Sequence, residues 1–260
     1  MTAAIEAIHL RKTFGPVVAV DNVDITVTSG QTVALLGGNG AGKTTTISML
    51  LGLLLPSAGR ITLLGHDLAR ARYAVMARMN FSSPYVELPH RLTVAQNLRV
   101  YADLYGVADA AERVAELAER LDLTQFLHRP SGKLSAGQKT RLALAKSLIN
   151  RPEVLLLDEP TASLDPDTGD WVRAYLEQYR AETGASMLIA SHNMSEVERL
   201  CDYVLMMRAG RIVDQDAPTA LLARYGRQTL EDVFLDIARD RRSAAAPAGT
   251  QNSAGEQAAQ

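Results

Sequence analysis

The stretch Gly37-Gly38-Asn39-Gly40-Ala41-Gly42-Lys43-Thr44 limits what this chain can fold into more than any other. It fits G-x-x-x-x-G-K-[ST]. The apolar run Val33-Ala34-Leu35-Leu36 before it and Thr45-Thr46-Ile47-Ser48-Met49-Leu50 after it supply the strand and helix that this pattern needs. Glycines let successive backbone N–H groups turn into one concavity, and a helix N-terminus adds a favourable field for an anion. The stretch reads as a phosphate cradle, with Lys43 reaching the terminal phosphates as a point charge and the Thr44 hydroxyl ligating Mg²⁺. A glycine-rich loop that merely starts a helix is the plainer alternative; the presence of every fixed position and both flanking elements argues against it.

A chain of 260 residues can build one well-packed α/β domain or a core with a helical insertion. Apolar residues at 47% and charged residues at 22% are ordinary for a globular protein, and a net charge of −2 argues against a wholly basic nucleic-acid-binding surface. Cys201 is the single cysteine, so no internal disulfide forms and a reducing compartment is the default. The first ten residues lack a basic segment followed by an apolar run, so no secretory signal is expected. The longest apolar stretch, 47–55, is interrupted by Gly52, is followed by Pro56 and falls short of the roughly 20 residues of a membrane span. The chain is expected not to cross a membrane; if it works at one, another protein holds it there.

In chain order, segments 5–10, 17–20 and 23–27 read as strands of an antiparallel sheet. Phe14 lies between the first two, as a core residue or as a ring face for a nucleobase, and the residue pattern alone favours core. Turns at 29–31 and 56–60 bracket a buried strand over 32–36 and precede a strand over 61–64. From 92 to about 126 the chain is helical in pattern, with Leu98, Tyr101, Leu104 and Tyr105 and then Val114, Leu117 and Leu121 at helix spacing. Ser135 is placed to cap a helix over 139–149, which gives another helix N-terminus with open N–H groups.

Val154-Leu155-Leu156-Leu157 reads as an interior parallel strand that ends in Asp158-Glu159, and ligands of open α/β sheets sit beyond the carboxyl ends of the strands. Beside a phosphate loop this acid pair has a chemical use: Asp158 holds a magnesium shell and Glu159 orients and deprotonates a water. A solvated acid pair is the plainer alternative. Residues 186–190 form a further strand that brings His192 to the same sheet edge, whereas His9, His66, His90 and His128 suit surface or packing roles. Residues 204–213 read as a hairpin closing the sheet, and 218–237 as helix with Leu230, Val233, Phe234 and Ile237 on one face. The Ala, Gly, Ser, Pro and Gln bias from 243 to 260 reads as a disordered tail, preceded by Arg239, Arg241 and Arg242 on a solvated basic face.

Taken together, the phosphate loop, Leu134-Ser135-Ala136-Gly137-Gln138, Leu155-Leu156-Leu157-Asp158-Glu159-Pro160, Ser163-Leu164-Asp165 and His192 resemble the ATP-binding subunit of an ABC transporter over about 5–216. Ser191-His192-Asn193-Met194-Ser195-Glu196-Val197-Glu198 and the ending Thr229-Leu230-Glu231-Asp232-Val233-Phe234-Leu235 look most like the ATPases of ABC-2-type exporters. The resemblance implies an α/β P-loop NTPase core: a mostly parallel central sheet flanked by helices, an N-terminal antiparallel β subdomain and a helical insertion. It implies an ATPase domain over 1–242, with about 92–150 helical and about 217–242 a C-terminal helical extension. Phe14 then takes the position of the aromatic that stacks on adenine, which reverses the preference for core. Gly37 to Thr45, Thr45 included, bind the triphosphate and Mg²⁺; Asp158 supports the metal, Glu159 is the general base and His192 senses the γ-phosphate. Ser135, Ala136, Gly137 and Gln138 complete the ATP site of a partner subunit, and Asp165 belongs to the loop crossing between subunits.

The implied partners are a separately encoded membrane permease and a second nucleotide-binding subunit, a homodimer by preference, with no nucleic acid; the implied place is the cytoplasmic face of the plasma membrane. Alternatives within the family are uptake, lipid transfer, or a soluble ATPase acting on ribosomes or DNA. Those soluble proteins carry two ATPase units or long coiled coils, which are missing from this sequence. A binding-only subunit is a further alternative, opposed by Glu159 and His192. The sequence departs from the family pattern at three places. Gly38 stands at a position that commonly bears a side chain. Ala136 replaces a glycine, at about 1 kcal/mol or more if φ is positive there. The family's Q-loop glutamine is due near Pro84, but Asn80-Phe81-Ser82-Ser83-Pro84-Tyr85 has none; Ser83 is then the candidate metal ligand, directly or through water.

Overall fold

Alternation of apolar residues carries the chain into two long antiparallel strands, Ala3–Phe14 (β1) and Val17–Thr28 (β2), in the computed structural model, which describes residues 2–83, 86–162 and 164–238. Segments 17–20 and 23–27 are thus one strand: Asn22, at a φ of 53°, absorbs a register irregularity without ending it. Thr32–Leu36 (β3) is buried along its whole length and leads through the phosphate loop into Lys43–Leu50 (α1). Ala58–Leu63 (β4) adds to β1, and the short His66–Asp67 (β5) completes a four-stranded sheet in the order β2-β1-β4-β5. The expected turn at 56–60 gives way to strand already at Ala58. Gly59 has a φ of +91°, and a Cβ there would sit 2.5 Å from the His9 carbonyl oxygen, so only glycine lets β4 run this close to β1.

Arg72–Met76 (α2) and Met79–Ser82 (β6) follow, neither marked in the sequence pattern. The helical insertion then holds Val94–Leu104 (α3), Ala110–Arg120 (α4) and Ala136–Ser147 (α5). Reciprocal capping boxes, Thr93 with Gln96 and Ser135 with Gln138, set the starts of α3 and α5. Leu98, Val114, Leu117 and Leu121 are buried as expected, but Leu104 is 74% exposed. Six residues beyond Leu98, it lies about 240° further round a helix of 3.6 residues per turn, off the face that buries Val94, Leu98 and Ala102.

The remaining elements are Val154–Asp158 (β7), Pro166–Thr183 (α6), Ser186–Ser191 (β8), Met194–Leu200 (α7), Tyr203–Arg208 (β9), Arg211–Asp216 (β10), Pro218–Tyr225 (α8) and Leu230–Ala238 (α9). The helix expected over 218–237 is two helices, because Gly226 takes a left-handed φ of 61° and ends α8. The tail 243–260, Arg239, Arg241, Arg242, Pro84, Tyr85 and Ser163 lie outside the described residues.

β10-β9-β3-β8-β7-β6 form the second sheet, parallel except for β10 at the edge. Period-two alternation sends Val33, Leu35, Leu156 and Leu188 toward the antiparallel sheet and α1, and Ala34, Leu36, Leu155, Leu157 and Ile189 toward the helical side. Both faces are covered, which is why these strands read as unbroken apolar runs; each fully buried Leu contributes roughly 1.5–3 kcal/mol. Register pairs Leu36 with Ser191 and Asp158 with Ala190, so the carboxyl ends of β3, β7 and β8 stand side by side.

Candidate functional site

The loop leaving β3 is moulded against its neighbours. A Cβ on Gly37 would meet the Met207 carbonyl oxygen at 2.6 Å, and Gly42, at a φ of +109°, would place one 2.7 Å from both the Ala19 oxygen and Met207 Cε. The Ala41 N–H donates to the Gly38 oxygen (3.1 Å) and the Gly210 N–H to the Ala41 oxygen (2.9 Å). Gly42 caps α1 without a side-chain hydrogen bond, so no side chain competes for the first N–H groups of that helix. Lys43 is buried; its Nζ donates to the Gly37 oxygen (2.6 Å) and lies 3.9 Å from Glu159 Oε1. A buried ammonium resting on its own loop's carbonyls is placed for an anion to take over. Val17, Val18 and Ala19, the loop from Gly38 to Thr45, and Ala209 with Gly210 wall a cleft of about 370 Å³.

Phe14 stands at the end of β1, paired with Val17, and is 50% exposed, with Lys12 Nζ 5.2 Å from the ring centroid. It is therefore not core, and its ring is offered beside the cleft wall. Asp158 closes β7 almost fully buried. Burial first, and then Glu159, push its carboxyl up from the usual carboxylate range, with Lys43 opposing. Glu159 adopts a φ of 51°, left-handed for a non-glycine residue and held by its N–H donating to the Ala190 oxygen (2.8 Å). That turn brings its carboxylate between Lys43 and His192. The His192 Nδ1 lies 2.7 Å from Glu159 Oε2, and the His192 backbone N–H donates to the same oxygen at 3.4 Å. A carboxylate only accepts, so Nδ1 carries the proton and Nε2 is the atom left for a ligand.

Among the described residues no group of three His, Cys, Asp or Glu is assembled to hold a metal. The oxygen donors at this edge, the Thr44 hydroxyl and Asp158, instead fit an ion such as magnesium, which binds through one or two carboxylates together with substrate phosphates. Ser83 follows β6, in which Ser82 pairs with Leu157, so it reaches the same edge one strand away.

Ser135 Oγ accepts from the Gln138 N–H (3.3 Å), while the Ser135 N–H donates to Gln138 Oε1 (3.0 Å). Ala136 is the first helical residue and keeps a negative φ, so its methyl carries no strain. Gly137 packs on Thr168, whose N–H and Oγ1 donate to the two oxygens of Asp165 at 2.9 and 2.8 Å; the start of α5 and Asp165 are thus neighbours. Of Ser135 to Gln138, Ala136 alone lines a different hollow, about 240 Å³, together with Lys139, Thr140 and Ala143 further along α5 and with Ser83, Val86 and His90. One set of predicted residues meets at the phosphate loop, and the other stands apart from it.

A model of the ABC transporter family matches residues 20–162, from within β2 past the acid pair. The chain belongs to the ABC transporter family. It is 37% identical over 224 residues to the Nod factor export ATP-binding protein I of Cupriavidus metallidurans, covering 85% of this chain and 74% of that one. Against the probable multidrug ABC transporter ATP-binding protein YbhF of Escherichia coli, identity is 34% over 243 residues, 91% of this chain and 42% of that protein. A solved ATP-binding subunit of an ABC transporter superposes with a TM-score of 0.83 at 25% identity, over 90% of this chain and 99% of the other. As a member of this family, the chain is an ATP-binding, ATP-hydrolysing subunit.

Several residues around this ABC site escape a reading of the sequence. Val17, Val18, Ala19 and Gly210 wall the cleft only because β2 and the β9–β10 turn fold over it. Glu196 is completely buried behind the site, its Oε2 accepting from Ser191 Oγ (2.6 Å) and its Oε1 from Thr161 Oγ1 (2.9 Å). Burial raises its carboxyl above the usual range, and the two hydroxyls oppose that. The sequence did hold a signal: Glu196 and Leu200 are four apart, which puts an acid on the core face of a helix.

Proposed function

We propose that this ATPase powers export through a separately encoded membrane permease, as one of two nucleotide-binding subunits, homodimeric by preference, at the cytoplasmic face of the plasma membrane. The observation that carries the reading is the division of the site. Lys43, Glu159 and His192 converge at the phosphate loop, whereas Gly137 at the start of α5 lies against Thr168 and so beside Asp165, and neither Ser135 to Gln138 nor Asp165 lines the cleft of that loop. A second copy presenting its α5 N-terminus is what such a half-site calls for. The relatives named for Nod factor export and multidrug transport support export, and among the described residues no helix is long and apolar enough to cross a membrane. The ATPase domain of this reading spans 1–242.

In this mechanism the N–H groups from Gly37 to Thr45 and the Lys43 ammonium bind the triphosphate, and Phe14 stacks on the base. Thr44 and Asp158, with Ser83 directly or through a water, would hold Mg²⁺, and the ion would supply charge neutralisation to the phosphates. Glu159 orients and deprotonates the attacking water. His192, its Nδ1 proton on Glu159, presents Nε2 to the γ-phosphate. Ser135, Ala136, Gly137 and Gln138 of a second copy close over the nucleotide, and hydrolysis releases them.

Glu159→Gln tests this. ATP binding should persist, phosphate release should fall by about two orders of magnitude or more, and ATP should shift the protein from monomer to dimer in sedimentation. Turnover within a few-fold of wild type would remove Glu159 as the base.

A further inference from the structure

The pair of backbone segments that deliver Glu159 and His192 is joined from behind by one side chain. Glu196 lies on α7, wholly buried, and its carboxylate is gripped at both oxygens by hydroxyls from different elements. Ser191 is the last residue of β8 and immediately precedes His192; Thr161 is two residues beyond Glu159. Ser191 Oγ in turn accepts from the Asn193 N–H at 3.0 Å, so both neighbours of His192 are tied into the same chain of bonds. Asn193 also caps α7, its side chain accepting from the Glu196 N–H, which makes the helix bearing Glu196 continuous with the turn bearing His192.

We infer that Glu196 is a positioning residue for hydrolysis: through Ser191 on one oxygen and Thr161 on the other, it holds His192 and Glu159 at their hydrogen-bonded separation. The inference rests on the roles proposed above for those two residues. A buried carboxylate is expensive, and replacing it with packed apolar side chains of similar size is often neutral or stabilising, so core stability alone gives no reason to put one at this place. What a doubly accepting carboxylate does, and a leucine cannot, is fix the hydroxyl-bearing end of β8 and the hydroxyl-bearing turn after β7 relative to each other. Glu159 needs such a brace. Its left-handed backbone is held by its own N–H on the Ala190 oxygen (2.8 Å) and by the Ala162 N–H on its carbonyl oxygen (3.1 Å), so the turn that carries Glu159 also carries Thr161; its carboxylate meets only Lys43 Nζ and the Nδ1 and N–H of His192. A displacement of about 1 Å in groups of this kind can cost about a hundredfold in rate.

The experiment is a double-mutant cycle on the full chain. Glu196→Ala is made alone and together with His192→Ala, and steady-state phosphate release, ATP binding and thermal midpoint are measured for each. If Glu196 acts through His192, Glu196→Ala lowers kcat by about tenfold or more with the KM for ATP within about twofold. In the His192→Ala background the same change then costs no more than about twofold. Glu196→Gln, which keeps the volume and one accepting oxygen, should restore most of the loss. Thr161→Val removes one brace at constant volume and carries the same cycle should Glu196→Ala fail to fold. A lower midpoint with kcat unchanged, or equal losses in both backgrounds, would overturn the inference. Glu159→Gln, run alongside, separates the two levels: if it retains turnover, the assignment of the base fails, whereas if it abolishes turnover while the cycle is additive, only the role of Glu196 fails.

Discussion

His192 Nδ1 sits 2.7 Å from Glu159 Oε2 although the two residues follow different strands, and β7 and β8 hold them there by pairing Asp158 with Ala190. Because Nδ1 must donate to the carboxylate, the imidazole is locked in one tautomer and its Nε2 is directed to ligand chemistry. His192→Ala should therefore lower kcat by about a hundredfold or more while leaving the KM for ATP within a few-fold, since Lys43 and the loop N–H groups still bind the phosphates. Phosphate-release kinetics at saturating ATP decide this; a rise in KM at unchanged kcat would make His192 a binding residue only.

Gly38 and Gly42 give opposite expectations within one loop. Gly42→Ala forces a side chain into a φ of +109° with contacts at 2.7 Å to Ala19 and Met207, and should cost about 2 kcal/mol or more in stability and abolish ATP binding. At Gly38 the nearest atom to an added Cβ is Phe234 Cζ, at 3.9 Å, which is ordinary contact. Gly38→Ala should bind ATP within about twofold of wild type. Paired nucleotide titrations and urea unfolding check both; similar behaviour of the two variants would contradict the packing described here.

Arg113 ties the insertion together. It is buried on α4 and donates through Nη2 to the Leu148 oxygen (2.5 Å) and through Nε to the Ile149 oxygen (3.2 Å), covering carbonyls at the end of α5. Arg113→Met keeps much of the packing but strands those carbonyls, at about 1–3 kcal/mol. Urea midpoints should fall accordingly, and because the Arg113 guanidinium also holds Glu116 (2.8 Å), the loss should exceed that of Glu116→Gln.

The parts legible in the sequence are those whose chemistry is local. The phosphate loop, the N-cap at Ser135 and the acid pair closing an apolar run each carry their meaning in consecutive residues, and each is found on the expected element, although the helix that Ser135 caps runs over Ala136–Ser147 and not over 139–149. Phe14 was not legible from its pattern, because whether a ring at a strand end is covered depends on what folds over it. β6 and α7 were missed for a related reason: a strand of four residues, and a helix of seven with a mixed face, become regular only against β7 and β8. Lys146 looks like an ordinary surface charge in a list of residues; only tertiary packing buries it.

Lys146 supplies a pH test of that last point. It is buried on α5, its Nζ donating to the Phe81 oxygen (3.0 Å) and Asn80 Oδ1 (3.3 Å) over the Phe81 ring, and burial lowers its ammonium to about 8. Unfolded, it titrates near about 10.4. Below pH 8 both states are protonated and the burial cost is fully present; between the two values the unfolded chain binds the extra proton, so stability from this group rises with pH. Lys146→Met removes the titration while keeping a long side chain against Phe81 and Tyr101. The stability of wild type relative to Lys146→Met should therefore increase by about 2 kcal/mol between about pH 7.5 and pH 9.5, measured by urea unfolding of both proteins. Parallel pH curves would mean that the carbonyls and ring faces hold the ammonium charged at its ordinary value, and that burial does not dominate at this position.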